Sequence, residues 1–223
     1  KCRLATPAAL IDIGRLDELK GISVTDGRVR IGALTTHAEL AASSELAERC
    51  PALGEAAGLI GDPAVRNRGT IGGNVAHADP ASDLPTVLRA LDATIAVTVD
   101  DGERSIPAAD FFEGMMETAL GDHDIVTAIE VPAAGAGQGQ AYVKFSHPAS
   151  RYAVVGAAAA VTLVGGTVGV VVSEGSTVLT AAVPLADVPA LERGQQATVT
   201  AAGGEEELRA EVTQIGTVPD DSG

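Results

Sequence analysis

The segment GDPAVRNRGTIGGNVAHADPASD, from Gly61 to Asp83, constrains the fold of this chain more than any other stretch. Gly69, Gly72 and Gly73 lack a Cβ atom, so the backbone there can take positive φ values and can approach a ligand closely. A glycine pair alone is typical of a tight turn between two elements. The polar residues around this pair favour a different interpretation, a loop that binds phosphate.

Side chains that bind anionic oxygen surround the glycines. Thr70 and Asn74 can donate hydrogen bonds, and Arg66 and Arg68 supply the positive charge that a half-buried pyrophosphate needs. Asp83 stands at the start of the next helical pattern. A carboxylate there either caps free backbone N–H groups or binds a hydroxyl group of a ligand, and the sequence leaves both roles open.

The composition excludes several classes of protein. Thirty acidic residues against fifteen Lys and Arg give a formal charge of −15, which argues against nucleic acid as a partner. Only 2 % of the residues are aromatic, so the core must be packed from small aliphatic side chains. The longest apolar run, residues 153–164, is shorter than the roughly 20 residues of a membrane-spanning helix. We therefore expect no membrane span.

The cysteines and histidines show no metal-binding pattern. Cys2 and Cys50 lie far apart and lack the spacing of a zinc or iron–sulfur site, so we expect buried thiols in a reducing compartment, the cytoplasm. His37 lies near a helix start and His123 lies in a Gly-Asp-His-Asp turn. We expect these two histidines to cap helices or turns, or to be exposed to solvent.

Apolar periodicity predicts a mixed α+β fold. Asp26-Gly27 favours a hairpin turn, Thr36 and Glu39 have the spacing of a capping box, and residues 84–91 show the clearest amphipathic pattern. Residues 152–163 are compatible with a strand or a helix. Predicted strands cover 10–13, 22–25, 29–31, 94–99, 103–106, 125–131, 141–145, 167–172, 178–183 and 197–201; predicted helices cover 37–42, 43–50, 51–59, 84–91 and 108–113, with a helical turn at 15–20.

The chain divides into two predicted domains. Residues 133–140 are rich in Gly, Ala and Gln and lack periodicity, so we interpret them as a linker between residues 1–132 and residues 141–202. The acidic segment 203–223 is predicted to be a disordered tail.

Three segments resemble a known family: RIGALTTHAEL (residues 30–40), VRNRGTIGGNVAHADPASDLP (65–85) and YVKFSHPASRYAVVG (142–156). Together they resemble the FAD-binding medium subunit of the molybdenum hydroxylases, the carbon monoxide dehydrogenase and xanthine dehydrogenase family. The resemblance implies an α+β FAD-binding domain of mixed sheets with helices, followed by a smaller, partly complete α+β C-terminal domain. It also implies an oxidoreductase subunit that passes electrons from iron–sulfur clusters to an external acceptor.

The resemblance implies partners and cofactor contacts. The partners are a large subunit with the molybdenum cofactor and a small subunit with [2Fe–2S] clusters. The FAD pyrophosphate is expected on the glycine loop, a sugar or ribityl hydroxyl on Asp83, and the flavin ring near His147, which is otherwise a surface side chain. No catalytic residue and no metal ligand is implied, because the flavin carries the redox chemistry. The implied FAD-binding residues are Arg68, Thr70, Ile71, Gly72, Gly73, Asn74, His77, Asp83 and His147.

The sequence departs from the family in one respect. The family has a second FAD loop, Ala-Gly-Gly-x-Ser, upstream of the segment at which the resemblance begins, and these 223 residues contain no such motif. We expect either that the preceding segment was removed, or that the chain is a natural truncation that binds FAD weakly. In the extreme case it is a non-catalytic remnant or assembly module that holds no FAD.

Overall fold

A computed structural model describes residues 9–164 and three later strands. The architecture is α+β, as predicted from the sequence. A 3-10 turn covers Asp17–Leu19, and the helices are α1 (His37–Ala42), α2 (Ser44–Arg49), α3 (Pro51–Leu59), α4 (Pro63–Arg66), α5 (Ile71–His77), α6 (Asp83–Ala90) and α7 (Ala108–Phe111). The strands are β1 (Ile22–Thr25), β2 (Arg28–Gly32), β3 (Thr94–Val99), β4 (Gly102–Pro107), β5 (Phe112–Gly114), β6 (Glu117–Thr118), β7 (Ile125–Pro132), β8 (Gln138–Ser146), β9 (Ala153–Val164), β10 (Thr167–Val171), β11 (Gln196–Thr200) and β12 (Glu207–Glu211).

The larger sheet contains five antiparallel strands in the order β1-β2-β7-β3-β4. The predicted hairpin turn is confirmed, since Asp26 and Gly27 have φ values of 52° and 73°. Ile129 on the central strand pairs with Ile31 on one side and with Ile95 on the other, and all three are fully buried. This row of β-branched side chains forms the sheet side of the core.

Short helices cover the sheets. The capping box is confirmed: the Thr36 side chain accepts from the Glu39 N–H, and the Glu39 carboxylate accepts from the Thr36 N–H. The amphipathic pattern is also confirmed, because α6 buries Leu84 and Leu88 completely. Helix α3 packs against α1, α6 and β8, and α6 packs against β9. The α3–α6 pair therefore lies against strands β8 and β9.

The second sheet has the order β10-β9-β8. Residues 153–164 form one long strand, which resolves the ambiguity between strand and helix. Strand β8 begins at Gln138, inside the segment interpreted as a linker. The division into two domains stays a prediction, but β8 and β9 pack directly on α3 and α6.

Some predicted elements differ from the structure. Residues 10–13 form no strand: none of the described strands pairs with this short apolar run, and Leu10 and Ile11 are 89 % and 87 % exposed. Residues 112–114 continue from α7 as a strand rather than as helix. Strand β12 lies within the predicted acidic tail. The predicted strand at 178–183 and Cys2 lie outside the described residues.

Candidate functional site

The glycine loop, residues 61–83, contains two short capped helices, α4 and α5, and the glycine pair Gly72-Gly73 lies in the first turn of α5 rather than in an open loop as expected. Asp62 Oδ1 accepts from the Val65 N–H at 2.9 Å and caps α4, and Thr70 Oγ1 accepts from the Gly73 N–H at 3.2 Å and caps α5. The Arg66 guanidinium donates to the carbonyl oxygens of residues 60 and 61 at 3.1 and 3.2 Å. Arg66 thus stabilises the base of the loop.

Backbone hydrogen bonds attach the loop to the segment before α1. The Ile71 N–H donates to the Thr35 carbonyl at 3.0 Å, and the Gly72 N–H donates to the Ala33 carbonyl at 2.8 Å. A Cβ atom at Gly72 would lie 2.5 Å from the Ala33 Cβ and 2.8 Å from its carbonyl oxygen. Gly72 is therefore required for packing between two segments of the chain.

These contacts determine which groups of the loop can reach a ligand. The N–H groups of Ile71 to Asn74 all donate within the chain, the last of them to the Thr70 carbonyl at 3.0 Å. The side chains of the loop are therefore the groups that can contact a ligand. Arg68 and His77 are exposed, while Thr70 and Asn74 are half-buried.

Asp83 neither caps a helix nor faces solvent, so the capping interpretation is wrong. Ser82 is the N-cap residue of α6 and makes no side-chain capping bond. Asp83 Oδ1 accepts from the Tyr142 hydroxyl at 2.6 Å, and Oδ2 accepts from Lys144 Nζ at 2.7 Å. The Lys144 and Asp83 side chains are 1 % and 5 % exposed. Tyr142, Lys144 and Asp83 form a cluster that we call the buried triad.

Helix termini support the two charges of the triad. Lys144 Nζ also donates to the carbonyl of Leu59, the last residue of α3, at 3.2 Å. Asp83 is the first residue of α6. A cation at a helix C-terminus and an anion at a helix N-terminus each lie at the favourable end of the helix dipole. The pKa of Tyr142 is raised by burial, and the hydrogen bond and charge of Asp83 raise it further.

His37 is buried beside the loop, so its expected capping or exposed role is wrong. It is only 3 % exposed, and Thr36 is the residue that caps α1. The backbone N–H of His37 donates to the Gly69 carbonyl at 3.0 Å. Within the described part of the chain, the buried His37 Nδ1 has no hydrogen-bond partner. Burial lowers the pKa of His37, and the charge of Asp83 opposes this shift.

The remaining histidines lie at the surface. His147 Nδ1 accepts from the N–H groups of Ala149 and Ser150 at 3.3 and 3.2 Å, so His147 closes the turn between β8 and β9. Its other ring nitrogen carries the proton. A contact between His147 and a flavin stays a prediction. His123 is exposed as predicted, with its Nδ1 3.1 Å from Asp100.

The sequence argument missed Tyr142 and Lys144, because the local pattern points to the wrong face of their strand. Lys144 is one of three lysines in the chain, and it alternates with apolar residues at i±1 along a strand that also contains Tyr142. Alternation places Tyr142 and Lys144 on the same face of β8. The apolar Val143 and Phe145 lie on the other face and would be expected in the core, yet they are 70 % and 69 % exposed, while Lys144 is buried and paired with Asp83.

Other features of the described chain do not add a second site. The described residues contain no group of three or more His, Cys, Asp or Glu that could hold a metal ion, and no helix among them is long and apolar enough to cross a membrane. Burial raises the pKa of the Cys50 thiol to about 12. A shallow concavity of about 570 Å³ is lined by residues such as Arg104, Glu113 and Asp124, and no residue of the glycine loop lines it.

Fold and site together define a class of protein. Antiparallel sheets covered by short helices hold a glycine loop at their surface, with a buried carboxylate after it, as in a domain that binds a phosphorylated cofactor. The chain belongs to the family described as "FAD binding domain in molybdopterin dehydrogenase", whose model matches residues 1–134. The family predicted from the three sequence segments is confirmed.

Known relatives agree with this assignment. The carbon monoxide dehydrogenase medium chain of Hydrogenophaga pseudoflava is 42 % identical over 168 residues, which cover 75 % of this chain and 58 % of the relative. The 6-hydroxypseudooxynicotine dehydrogenase complex subunit alpha of Paenarthrobacter nicotinovorans is 41 % identical, covering 72 % of this chain and 54 % of the relative.

Solved structures extend the likeness to the fold. Carbon monoxide dehydrogenase from Hydrogenophaga pseudoflava superposes with a TM-score of 0.72 and 43 % identity, covering 75 % of this chain and 58 % of that structure's chain. The present chain thus spans somewhat more than half the length of the relatives that it matches.

Proposed function

We propose that this chain is the FAD-binding part of the medium subunit of a molybdenum-containing hydroxylase or dehydrogenase. In the assembled enzyme it passes electrons from iron–sulfur clusters to an external acceptor. Its partners are a large subunit with the molybdenum cofactor and a small subunit with [2Fe–2S] clusters. The family match over residues 1–134, which includes the whole glycine loop, carries the proposal.

The geometry suggests which residues shape the FAD site and which residues contact FAD. Ile71, Gly72 and Gly73 shape the loop through internal contacts. Arg68, Thr70, Asn74 and His77 would supply the side-chain donors and positive charge for the pyrophosphate, and His147 would contact the flavin ring. A contact between Asp83 and a cofactor hydroxyl stays a prediction, and it would require this buried carboxylate, held by Tyr142 and Lys144, to become accessible. FAD supplies the redox chemistry when bound, so the protein needs only to position it.

Charge supports a role for the arginine beside the loop. The chain has a formal charge of −15, and a pyrophosphate is itself an anion. Long-range attraction therefore cannot bring the cofactor in, and local cations must offset its charge. Arg68 is exposed next to Thr70, and a guanidinium binds phosphate oxygens with two parallel hydrogen bonds.

The names of two relatives support the proposal that substrate choice lies outside this chain. Two of them are equally similar to it, at 42 % and 41 % identity, yet their names refer to carbon monoxide and to 6-hydroxypseudooxynicotine. A chain that resembles subunits of both enzymes equally well is suited to their shared step, electron transfer through a flavin. The buried thiol of Cys50 is compatible with a cytoplasmic enzyme.

Flavin binding is the decisive test. The full-length protein should take up one FAD, seen as visible flavin absorbance and quenched flavin fluorescence. Arg68→Ala should weaken binding at least tenfold, because a hydrogen bond to a charged group contributes about 1.5–3 kcal/mol. Arg15→Ala is the matched control, since Arg15 is also exposed but lies outside the loop. A wild-type protein that remains colourless with excess FAD contradicts the proposal.

A second candidate function rests on one observation. The N–H groups of residues 71–74 are all paired within the chain and cannot form a backbone cradle without rearrangement. A remnant that keeps the assembly surfaces without holding FAD would have this property. Co-purification with the molybdenum and iron–sulfur subunits without flavin would favour this second function over the first.

A further inference from the structure

His37 lies directly under the glycine loop. A Cβ atom at Gly69 would lie 2.8 Å from His37 Cδ2 and 2.9 Å from Nε2, so this edge of the ring occupies the space that a side chain at Gly69 would need. Gly69 immediately precedes Thr70, the cap of α5. The position of the imidazole therefore determines how closely the backbone at Gly69 can pack against His37.

The opposite edge of the ring points into the protein. Nδ1 lies across the ring from Cδ2, and it is buried without a hydrogen-bond partner in the part of the chain that the structure describes. A neutral imidazole can leave Nδ1 as a bare acceptor. A protonated imidazole has an N–H at both positions and a full charge, and neither can be buried unpaired without a large penalty.

The surrounding charges leave no ready partner for an imidazolium. Asp83 on α6 is the acid whose charge acts on His37, but both its oxygens already accept, from Tyr142 and from Lys144. The elements packed against α1 carry two other charged groups near this region. Glu55 on α3 accepts from the Tyr142 N–H, and Arg66 on α4 donates to backbone carbonyls at the loop base.

We propose that His37 is a positioning residue for the glycine loop and that it holds the loop in its FAD-binding form only while the imidazole is neutral. The inference rests on the proposed function of the loop. On protonation, the ring must either leave its place under Gly69 or draw Asp83 away from Lys144. Both movements displace residues that are expected to contact FAD.

The expected sign of the pH effect follows from this coupling. Burial keeps the pKa of His37 below its ordinary value of 6.5, so the imidazole is neutral at pH 7.5. If FAD binding requires the neutral form, the dissociation constant for FAD rises as the pH falls below the pKa of the unbound protein. The rise is at most tenfold per pH unit, because one proton is linked to binding.

The experiment measures FAD affinity of the full-length protein between pH 7.5 and 5.0, for the wild type and for His37→Phe. Phenylalanine keeps a planar ring under Gly69 but cannot be protonated. We expect the wild-type dissociation constant to rise by up to tenfold per pH unit once the pH is below the pKa of His37, and we expect no such rise in H37F, whatever its affinity at pH 7.5. The comparison is repeated on a His77→Gln background, because His77 is itself expected to contact the pyrophosphate. His123→Gln should keep the wild-type slope, since His123 is exposed, lies outside the glycine loop and is paired with Asp100.

A second measurement does not depend on the stability of a variant. NMR titration of the His37 ring in the wild-type protein should give a pKa below 6.5 that falls further when FAD is added. An unchanged pH slope in H37F, or a His37 pKa that FAD does not lower, overturns the inference while FAD binding itself stands. Absence of FAD binding by the wild type at pH 7.5 instead refutes the proposed function.

Discussion

The ion pair between Lys144 and Asp83 provides the sharpest test of the structure. Its N–O distance is 2.7 Å, and the two side chains are 1 % and 5 % exposed. We predict that Lys144→Met strongly destabilises the protein. Methionine keeps most of the length of the lysine side chain, so the change removes the charge and its hydrogen bonds with little loss of packing volume.

The magnitude follows from what the substitution leaves behind. Asp83 would keep the hydrogen bond from Tyr142 but would be a buried carboxylate without a counter-charge. Removing one partner of a buried ion pair costs about 3–5 kcal/mol. For a protein of this size, 1 kcal/mol corresponds to about 2–4 °C in Tm, so K144M should melt about 6–20 °C below the wild type.

A matched control separates burial from pairing. Lys20 and Asp17 are also 2.7 Å apart, but their side chains are 40 % and 89 % exposed. Lys20→Met removes an equally short ion pair in solvent, where water already screens the charges, so its Tm should stay close to that of the wild type. The comparison keeps the type of substitution constant and changes only the burial of the pair.

A double variant tests whether the charge itself is responsible. In the combination of Asp83→Asn with Lys144→Met, no charge is left buried, and the amide introduced at position 83 would still offer an oxygen to Tyr142. We expect the double variant to recover at least half of the stability that K144M loses, measured by calorimetry without FAD. A K144M protein within about 1 kcal/mol of the wild type would refute the argument, since such a value is typical of an exposed pair.

Two further predictions concern neighbouring contacts. Gly72→Ala should lower the free energy of unfolding, measured by urea titration, by about 1–3 kcal/mol, because the new Cβ would lie 2.8 Å from a backbone oxygen of Ala33. Gly58→Ala is the control: its Cβ would make an ordinary contact at 3.9 Å on an exposed helix position, so it should raise the free energy of unfolding by about 0.5–1 kcal/mol. Tyr142→Phe should cost about 1.5–3 kcal/mol at pH 8 through the lost bond to a carboxylate. The pKa of Tyr142 is higher in the folded state than in the unfolded state, so the stability difference between the wild type and Y142F is complete below pH 10 and declines at higher pH. A stability difference that stays constant from pH 8 to pH 11 would contradict this prediction.

Local sequence signals predicted the parts of the fold that depend on neighbours in the chain. The Asp26-Gly27 turn and the Thr36–Glu39 capping box need only residues one to three positions apart. The helix that buries Leu84 and Leu88 follows from apolar spacing alone. In each case the residues that make the contact also make the pattern.

The buried triad could not be predicted in this way. Lys144 meets Asp83 across 61 positions, and Tyr142 meets it across 59. From the sequence, a lone acid at a helix start fits capping or ligand binding equally well, and only the packing of β8 on α3 and α6 shows its partners. His37 was misjudged for the same reason, since its burial depends on Gly69 in a different segment.

The glycines of the loop show how one motif can serve packing and binding together. Gly72 is required because Ala33 fills the space beside it, and Gly69 because His37 does. A larger residue at either glycine would damage the site even if the glycine does not contact the ligand. Its Cβ would displace the loop from the residues on which it packs. Because the N–H groups of residues 71–74 donate within the chain, we propose that FAD is recognised by the side chains of the loop. Substitutions at Gly72 should therefore change stability and FAD affinity together, whereas substitutions at Arg68 should change affinity alone.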